Sequence, residues 1–341
     1  MFLTYLRKGI LSLLILIALL LGGEIFLLKV VGVVPSTDRM ATYQFDENLG
    51  WKTRSDFKYY RSSLYYGHFN YYSPEGYPTD RAHWHSAAAR NVPTIAFLGS
   101  SHAESYYLPY EQSFPYRVEQ ASGKQVVNLG VSGYAPDQYL LRARAELPKY
   151  PVTDIVVIFF PFNDLPNIER SDYQDVAKPV FGETFDRPIN TPLTPPPPAP
   201  VGMGFVARVR SSATYTLLRP LVRRMLPVKI KVSTKQPGTY DPAQMEKVMT
   251  IFATIAKENP SARVHIFAIP FYKELEKPEL YRENLAVYEK SCIGRPFSCA
   301  SMDPIIATHK DPGDIFILGD GHVTAYGAKL IADEIIKMLA G

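Results

Sequence analysis

The chain has 341 residues, 46% of them hydrophobic, and a formal net charge of +4, which suits one large domain or two modest ones. The basic excess is too small and too scattered to point to a nucleic-acid partner; its one notable cluster, Arg223-Arg224 with Lys229 and Lys231 nearby, reads as a solvated face. With only two cysteines, and no His or further Cys at finger spacing, a structural zinc site is excluded as well.

Arg7 and Lys8 precede an apolar run from Gly9 to Leu21, followed by Gly22-Gly23-Glu24 and a second apolar stretch ending at Val34. A helix that crosses the hydrocarbon needs about 20 mostly apolar residues. The run up to Gly23 is a little short, whereas the stretch extended to Val34 is ample, with Glu24 and Lys29 near the outer interface. A cleaved signal peptide and an uncleaved anchor both fit. The run ends without a small-x-small cleavage site, so the anchor is favoured. Positive residues ahead of the run send the remainder out of the cytoplasm. The expectation is a membrane anchor over residues 1–34, single-pass in the inner or plasma membrane, with the C-terminal domain in the periplasm or outside the cell.

Residues 35–92 are rich in aromatics and turn formers, including Tyr59-Tyr60, Tyr65-Tyr66 and Tyr71-Tyr72. They read as short strands and loops packed on the main domain. The tyrosine pairs could present a sugar-stacking surface but are more often structural. His83-Trp84-His85 has no nearby third ligand and reads as surface.

From residue 93 onward the pattern is strand–helix alternation. Apolar runs occur at Thr94–Leu98, Gln125–Leu129, Asp154–Phe160 and Arg263–Ile269, with helical segments such as Pro136–Leu147 and Pro242–Lys257 between them. Continuous apolar strands separated by helices indicate a parallel sheet covered on both faces. The final segment, Thr324–Leu339, puts Ala328, Ile331, Ala332, Ile335, Ile336 and Leu339 on one stripe, with Thr324 as N-cap. An insertion at about 166–240 contains the proline run Thr194–Pro200, which favours polyproline II and reads as an irregular surface loop, a lid or docking arm being the sharper alternative. Cys292 and Cys299 flank a Gly-x-Pro turn; in an oxidising compartment a local disulfide is expected.

Four blocks carry chemistry. Gly99-Ser100-Ser101 follows the first buried strand, Asn128-Leu129-Gly130-Val131-Ser132-Gly133-Tyr134 the second, and Phe160-Pro161-Phe162-Asn163-Asp164 the third, so all three sit at one edge of the sheet, where open α/β sheets keep their sites. The fourth, Asp320-Gly321-His322, stands just before the last helix. A serine, a histidine to take its proton and donors for the oxyanion are what acyl transfer requires.

The order and content of these blocks resemble the SGNH/GDSL hydrolase superfamily over residues 94 to 340, with a gap across the insertion. The resemblance implies a flavodoxin-like three-layer α/β/α sandwich with a central parallel sheet. It casts Ser101 as nucleophile and His322 as base, with the Ser101 amide, Gly133 and Asn163 as oxyanion hole. Three positions depart from the family: Ser100 stands where Asp is usual, Pro161 where Gly is usual, and Gly319 where the acid is usual. Asp320, two residues before His322, is the chosen acid, by likeness to the spacing in alginate O-acetyltransferase-like members; a carbonyl or another acid is the alternative. His102 and Glu104 receive no catalytic role.

The expected function is an extracytoplasmic serine-dependent esterase or O-acyltransferase working through an acyl-enzyme on an O-acylated glycan or envelope polymer. No cofactor is implied, and neither a Gly-x-Gly-x-x-Gly nor a Gly-Lys-Thr/Ser loop occurs. Envelope or polysaccharide-modification partners are possible. A non-catalytic glycan-binding or assembly component of the same fold is the reading from another class; its expected signature, loss of the serine or histidine, is not present.

Overall fold

The structure, a computed structural model, describes residues 2–33, 42–63, 65–182, 184–196, 212–218, 236–309 and 311–341. The described chain gathers into two compact units. The smaller holds the N-terminal helix with residues 58–63, 65–69 and 212–218; the larger holds the rest.

In the smaller unit, α1 (Phe2–Phe26) continues into a π-helical turn, Leu27–Val31, closed by Gly32 in the left-handed conformation. Arg7–Val31 is long and apolar enough to cross a membrane, and none of it is buried. Leucines and isoleucines from Ile10 to Ile25 are exposed all round the helix, so no single face is reserved for a protein core. The interrupting Glu24 accepts hydrogen bonds from Thr214 N (3.0 Å) and Thr214 Oγ1 (2.8 Å), and from Ala213 N, at the start of a helical segment over 213–218.

The larger unit begins with an antiparallel hairpin, β1 (Tyr43–Asp46) and β2 (Gly50–Thr53), which is followed in the chain by β3 (Phe57–Ser62), β4 (Gly67–Tyr72) and β5 (Pro78–Thr79). His83 pairs with Asp80, and His85 with Asp56.

The core is a five-stranded sheet of β6 (Thr94–Gly99), β7 (Gln125–Asn128), β8 (Val152–Phe159), β11 (Arg263–Ala268) and β12 (Ser298–Ser301). Two further short strands, β9 (Asp172–Tyr173) and β10 (Val176–Ala177), form a separate hairpin. The order across the main sheet is β12-β11-β8-β6-β7, with every neighbouring pair parallel. Counted along the chain this is 2-1-3-4-5, the flavodoxin-like order, in which the topological switch lies beside the first strand.

Ile95–Leu98 and Ile155–Phe159 are all buried to within 1% of complete, which is why these strands read as unbroken apolar runs rather than alternating ones. On one side of the sheet α3 (Phe114–Ser122) packs against α10 (Ala325–Ala340), which follows the short helices α8 (Asp303–Thr308) and α9 (Pro312–Ile315) in the chain. On the other, α4 (Pro136–Glu146) packs against α6 (Pro242–Glu258), which meets α7 (Pro278–Cys292). Thr324 caps α10, its Oγ1 accepting from Gly327 N at 3.0 Å, and Ala328, Ile331, Ala332 and Ile335 are buried.

Cys292, at the end of α7, is disulfide-bonded to Cys299 in β12, with Cα atoms 6.3 Å apart. The insertion is anchored at its start rather than loose. Lys178, fully buried, pairs with the buried Asp137 on α4 and donates to the carbonyls of Asn167, Arg170 and Pro179. Of the proline run, Pro197–Pro200 lie outside the described residues, as do Arg223, Arg224, Lys229 and Lys231.

Candidate active site

Ser101 opens a four-residue helix, α2 (Ser101–Glu104), directly after β6. The turn needs glycine at its hinge. Gly99 has φ of +153°, and an added Cβ would stand 2.7 Å from Ala103 Cβ and 2.9 Å from the Ile158 carbonyl oxygen, contacts that forbid a side chain. As the first helical residue, Ser101 has an amide with no intrahelical acceptor.

Ser101 Oγ lies 2.8 Å from His322 Nε2, although 221 residues separate them in sequence. On the other side of the ring, His322 Nδ1 is hydrogen-bonded to Asp320 Oδ1. With Nδ1–H donated to this carboxylate, Nε2 keeps the lone pair that accepts the serine hydroxyl. The Asp-x-His spacing thus brings the acid onto the ring, while Gly319 donates its N–H to Tyr272 Oη at 3.2 Å. Asp320 and His322 side chains remain 16% and 14% exposed, so the pair can be reached.

Aromatic rings fix the imidazole plane. Tyr107 stacks on His322 with centroids 4.4 Å apart, and Tyr106 meets it edge-on at 5.3 Å. His102, wholly buried, sits 5.0 Å from His322 and 4.6 Å from Phe160. Neither of its ring nitrogens has a hydrogen-bond partner among the described residues. Burial first, and the neighbouring His322 second, push its pKa well below the ordinary histidine range, so it stays neutral.

The glycine-rich loop after β7 lies against the turn that carries Ser101. Leu129 N and Val131 N donate to the carbonyls of Phe97 and Gly99, which extends the β6–β7 ladder beyond the strands. Asn128 Nδ2 donates to the Ala103 carbonyl at 2.8 Å. At Gly130 a Cβ would come 2.5 Å from Glu104 N and 2.6 Å from Ala103 Cβ, so the loop passes the α2 backbone with no room for a side chain. Gly133, with φ of +80°, follows; no described residue accepts its N–H.

Asn163 lies in α5 (Pro161–Asn167), which follows β8 with Pro161 at the first helical position, where a missing N–H costs nothing. Asn163 Oδ1 accepts from Asn167 Nδ2 at 3.0 Å, which orients the amide, and one Nδ2 hydrogen is shared with Asp164 Oδ1 at 3.3 Å. Asp164 is fully buried and also accepts from Phe160 N (2.9 Å) and Tyr139 Oη (3.0 Å). Burial pushes its pKa up to about 7, against the opposing pull of these donors.

Ser101, His322 and Asp320 therefore form one continuous hydrogen-bonded chain. Gly133 stands on the loop that follows β7 and Asn163 on the helix that follows β8, the strands flanking β6. Sequence reasoning left out Glu104, which accepts from Tyr43 Oη, Tyr72 Oη and Ser132 N, and Trp51, which donates to the Ser132 carbonyl. A carboxylate three residues past a candidate nucleophile was the available signal for the first. Nothing local to Trp51 marked the second.

No family model matches the chain, and no curated protein does. Among solved structures, the chain is similar to TesA, at 14% identity, covering 72% of this chain and 97% of that one with a TM-score of 0.38. It is also similar to a GDSL-like lipase from Bacteroides thetaiotaomicron, at 12% identity, 72% and 88% coverage and a TM-score of 0.36. A third is a two-domain esterase active on acetylated mannans, at 14% identity, covering 73% of this chain and half of the other with a TM-score of 0.42.

Proposed function

We propose that the chain is a membrane-anchored, extracytoplasmic serine enzyme that cleaves or transfers acyl esters through an acyl-enzyme. The observation that carries the reading is the chain Ser101 Oγ–His322–Asp320, with its 2.8 Å nucleophile–base contact. His322 Nε2 takes the hydroxyl proton as Ser101 Oγ bonds to the ester carbonyl carbon. The carbonyl oxygen becomes an oxyanion, met by the Ser101 and Gly133 amides and by Asn163 Nδ2. Collapse expels the alcohol, which leaves with the proton held by His322. Water or a sugar hydroxyl then gives a proton to the same nitrogen and attacks the acyl-enzyme, which releases the acid or a new ester and restores Ser101. Asp320 stabilises the imidazolium in both halves.

The extracytoplasmic setting is supported by the Arg7–Val31 span, the positive residues that begin it and the Cys292–Cys299 disulfide. The substrate class we favour is an O-acylated glycan or envelope polymer. The test uses the purified full-length chain with a chromogenic acetyl ester, with and without a glycan acceptor, together with a fluorophosphonate that reacts with activated serines. Cleavage and labelling at Ser101 are expected; acceptor-dependent acetylation in place of hydrolysis assigns it as a transferase. Full ester cleavage by Ser101→Ala overturns the assignment and leaves the binding-module reading. A C-terminal reporter active only in the cytoplasm overturns the orientation.

A further inference from the structure

The oxyanion donor in the glycine-rich loop belongs to a peptide that is held at its carbonyl end, and the peptide before it is held at its N–H. The Gly133 N–H and the Ser132 C=O are parts of one planar trans peptide and point in opposite directions. Trp51 Nε1–H donates to the Ser132 carbonyl oxygen at 3.0 Å. On the near side of the same residue, the Ser132 N–H donates to Glu104 Oε2 at 2.5 Å.

Both partners are themselves fixed. Trp51 is completely buried; its ring meets Tyr134 edge-on at 5.5 Å, and its carbonyl accepts from Tyr134 Oη. Glu104 is 1% exposed, and its carboxylate also accepts from Tyr43 Oη at 2.9 Å and from Tyr72 Oη. Tyr43 and Trp51 come from the two strands of the β1–β2 hairpin, which is no part of the central sheet.

We propose that Trp51 and Glu104 are positioning residues that hold the two peptides on either side of Ser132, Glu104 at the N–H of the first and Trp51 at the carbonyl of the second, and thereby aim the Gly133 N–H, away from Trp51, at the reacting carbonyl oxygen. The proposal rests on the acyl-ester reading above. Three physical reasons support it. A loop with glycines at 130 and 133 has more backbone freedom to lose than any other sequence would. A donor stabilises a developing oxyanion best when its orientation is set beforehand. An indole N–H bonded to the carbonyl end of a peptide also polarises that peptide and strengthens its N–H as a donor.

The test uses the full-length chain and three variants. Trp51→Phe keeps an aromatic ring and removes the N–H. Glu104→Leu removes the acceptor. Glu104→Gln keeps one side-chain oxygen for the Ser132 N–H. The measurements are kcat and KM on the chromogenic acetyl ester and the rate of fluorophosphonate labelling at Ser101, made well below each variant's unfolding temperature. Because misplacing one oxyanion donor costs up to about 100-fold, Trp51→Phe is expected to lower kcat about tenfold and Glu104→Leu about 100-fold. KM should stay within about twofold, labelling should slow in parallel with kcat, and Glu104→Gln should recover to within about fivefold of wild type. A purely structural role would lower the unfolding temperature and leave kcat of the folded variant unchanged. A folded Trp51→Phe with wild-type kcat, or a loss confined to KM, overturns the proposal, and this variant decides the matter if Glu104→Leu does not fold. Wild-type protein that neither cleaves the ester nor labels at Ser101 is a different outcome: it overturns the acyl-ester reading, and the proposal with it.

Discussion

Replacing Lys178 with Met should expose how the start of the insertion is held. Lys178 and Asp137 are both at or below 1% exposure, and the ammonium also satisfies the carbonyls of Asn167, Arg170 and Pro179. Burial pushes the Asp137 carboxyl up and the Lys178 ammonium down, and their pairing opposes both effects. Met fills most of the volume of the lysine stem but leaves Asp137 without its cation. Asp137 then takes up a proton rather than remain a lone buried charge. From an ordinary carboxyl pKa of 3.8, protonation at pH 7 costs about 4 kcal/mol, and at pH 5 about 2 kcal/mol. The higher figure falls within the range of about 3–5 kcal/mol for breaking a buried pair. The sign follows from linkage: the folded variant's Asp137 pKa lies above its unfolded value, so the penalty is absent below about pH 4 and grows as pH rises. Urea unfolding followed by the fluorescence of the buried Trp51 reads the difference at both pH values. A further Asp137→Leu change should recover most of the loss. A Lys178→Met penalty below about 1 kcal/mol at pH 7, or one equal at pH 5 and pH 7, would refute the reasoning.

Ser101→Ala and His322→Ala should each abolish nearly all ester cleavage, and the double variant should lose little more than either, because the two act as a unit; additive losses in steady-state kinetics would count against a shared proton transfer. Asn163→Ala should lower kcat by about 10²–10³ and leave weak activity, the usual cost of one oxyanion donor. Asp164, raised from 3.8 to about 7 by burial, holds a proton that the unfolded chain has lost. Its contribution to stability, on the order of 4 kcal/mol, should be complete below about pH 4 and disappear as pH rises through 7. Denaturation curves of Asp164→Asn should lack that slope, and an identical slope in the variant would argue against it. Reducing the Cys292–Cys299 bridge should cost about 2–3 kcal/mol for so short a loop, read as a shift in unfolding midpoint; free thiols in protein from the native compartment would remove the premise.

The strands that could be read from sequence are those buried on both faces. Ile95–Leu98 and Ile155–Phe159 are unbroken apolar runs because no side of them meets water. β12, at the edge of the sheet, consists of Ser298, Cys299, Ala300 and Ser301 and is half-exposed; small and polar residues suffice there, so it left no hydrophobic signal. The candidate site was legible where a polar residue stands at a strand end, as at Ser101 and Asn163, or just before a helix, as at His322. Asp320 was chosen by likeness to a family spacing rather than by any local pattern, and its Oδ1 meets His322 Nδ1. Trp51 and Glu104 were not legible, because their contribution depends on a hairpin meeting a loop 81 residues away and on a buried carboxylate reaching 28 residues forward. No local period encodes such meetings. The same is true of Lys178, whose place in a stretch without periodicity suggested solvent rather than complete burial.

Ser101 and His322 stand 221 positions apart in the chain, which imposes an order on biosynthesis. The Ser101 turn, the glycine-rich loop and α5 are all made before the chain reaches β11. His322 comes from the segment that leads into α10, whose Ala328, Ile331, Ala332 and Ile335 are buried. Until that segment is made, Ser101 Oγ has no imidazole beside it. Truncation before His322 would leave a sheet with Ser101 in place and no histidine against it, so on the acyl-ester reading nascent and clipped chains are inert.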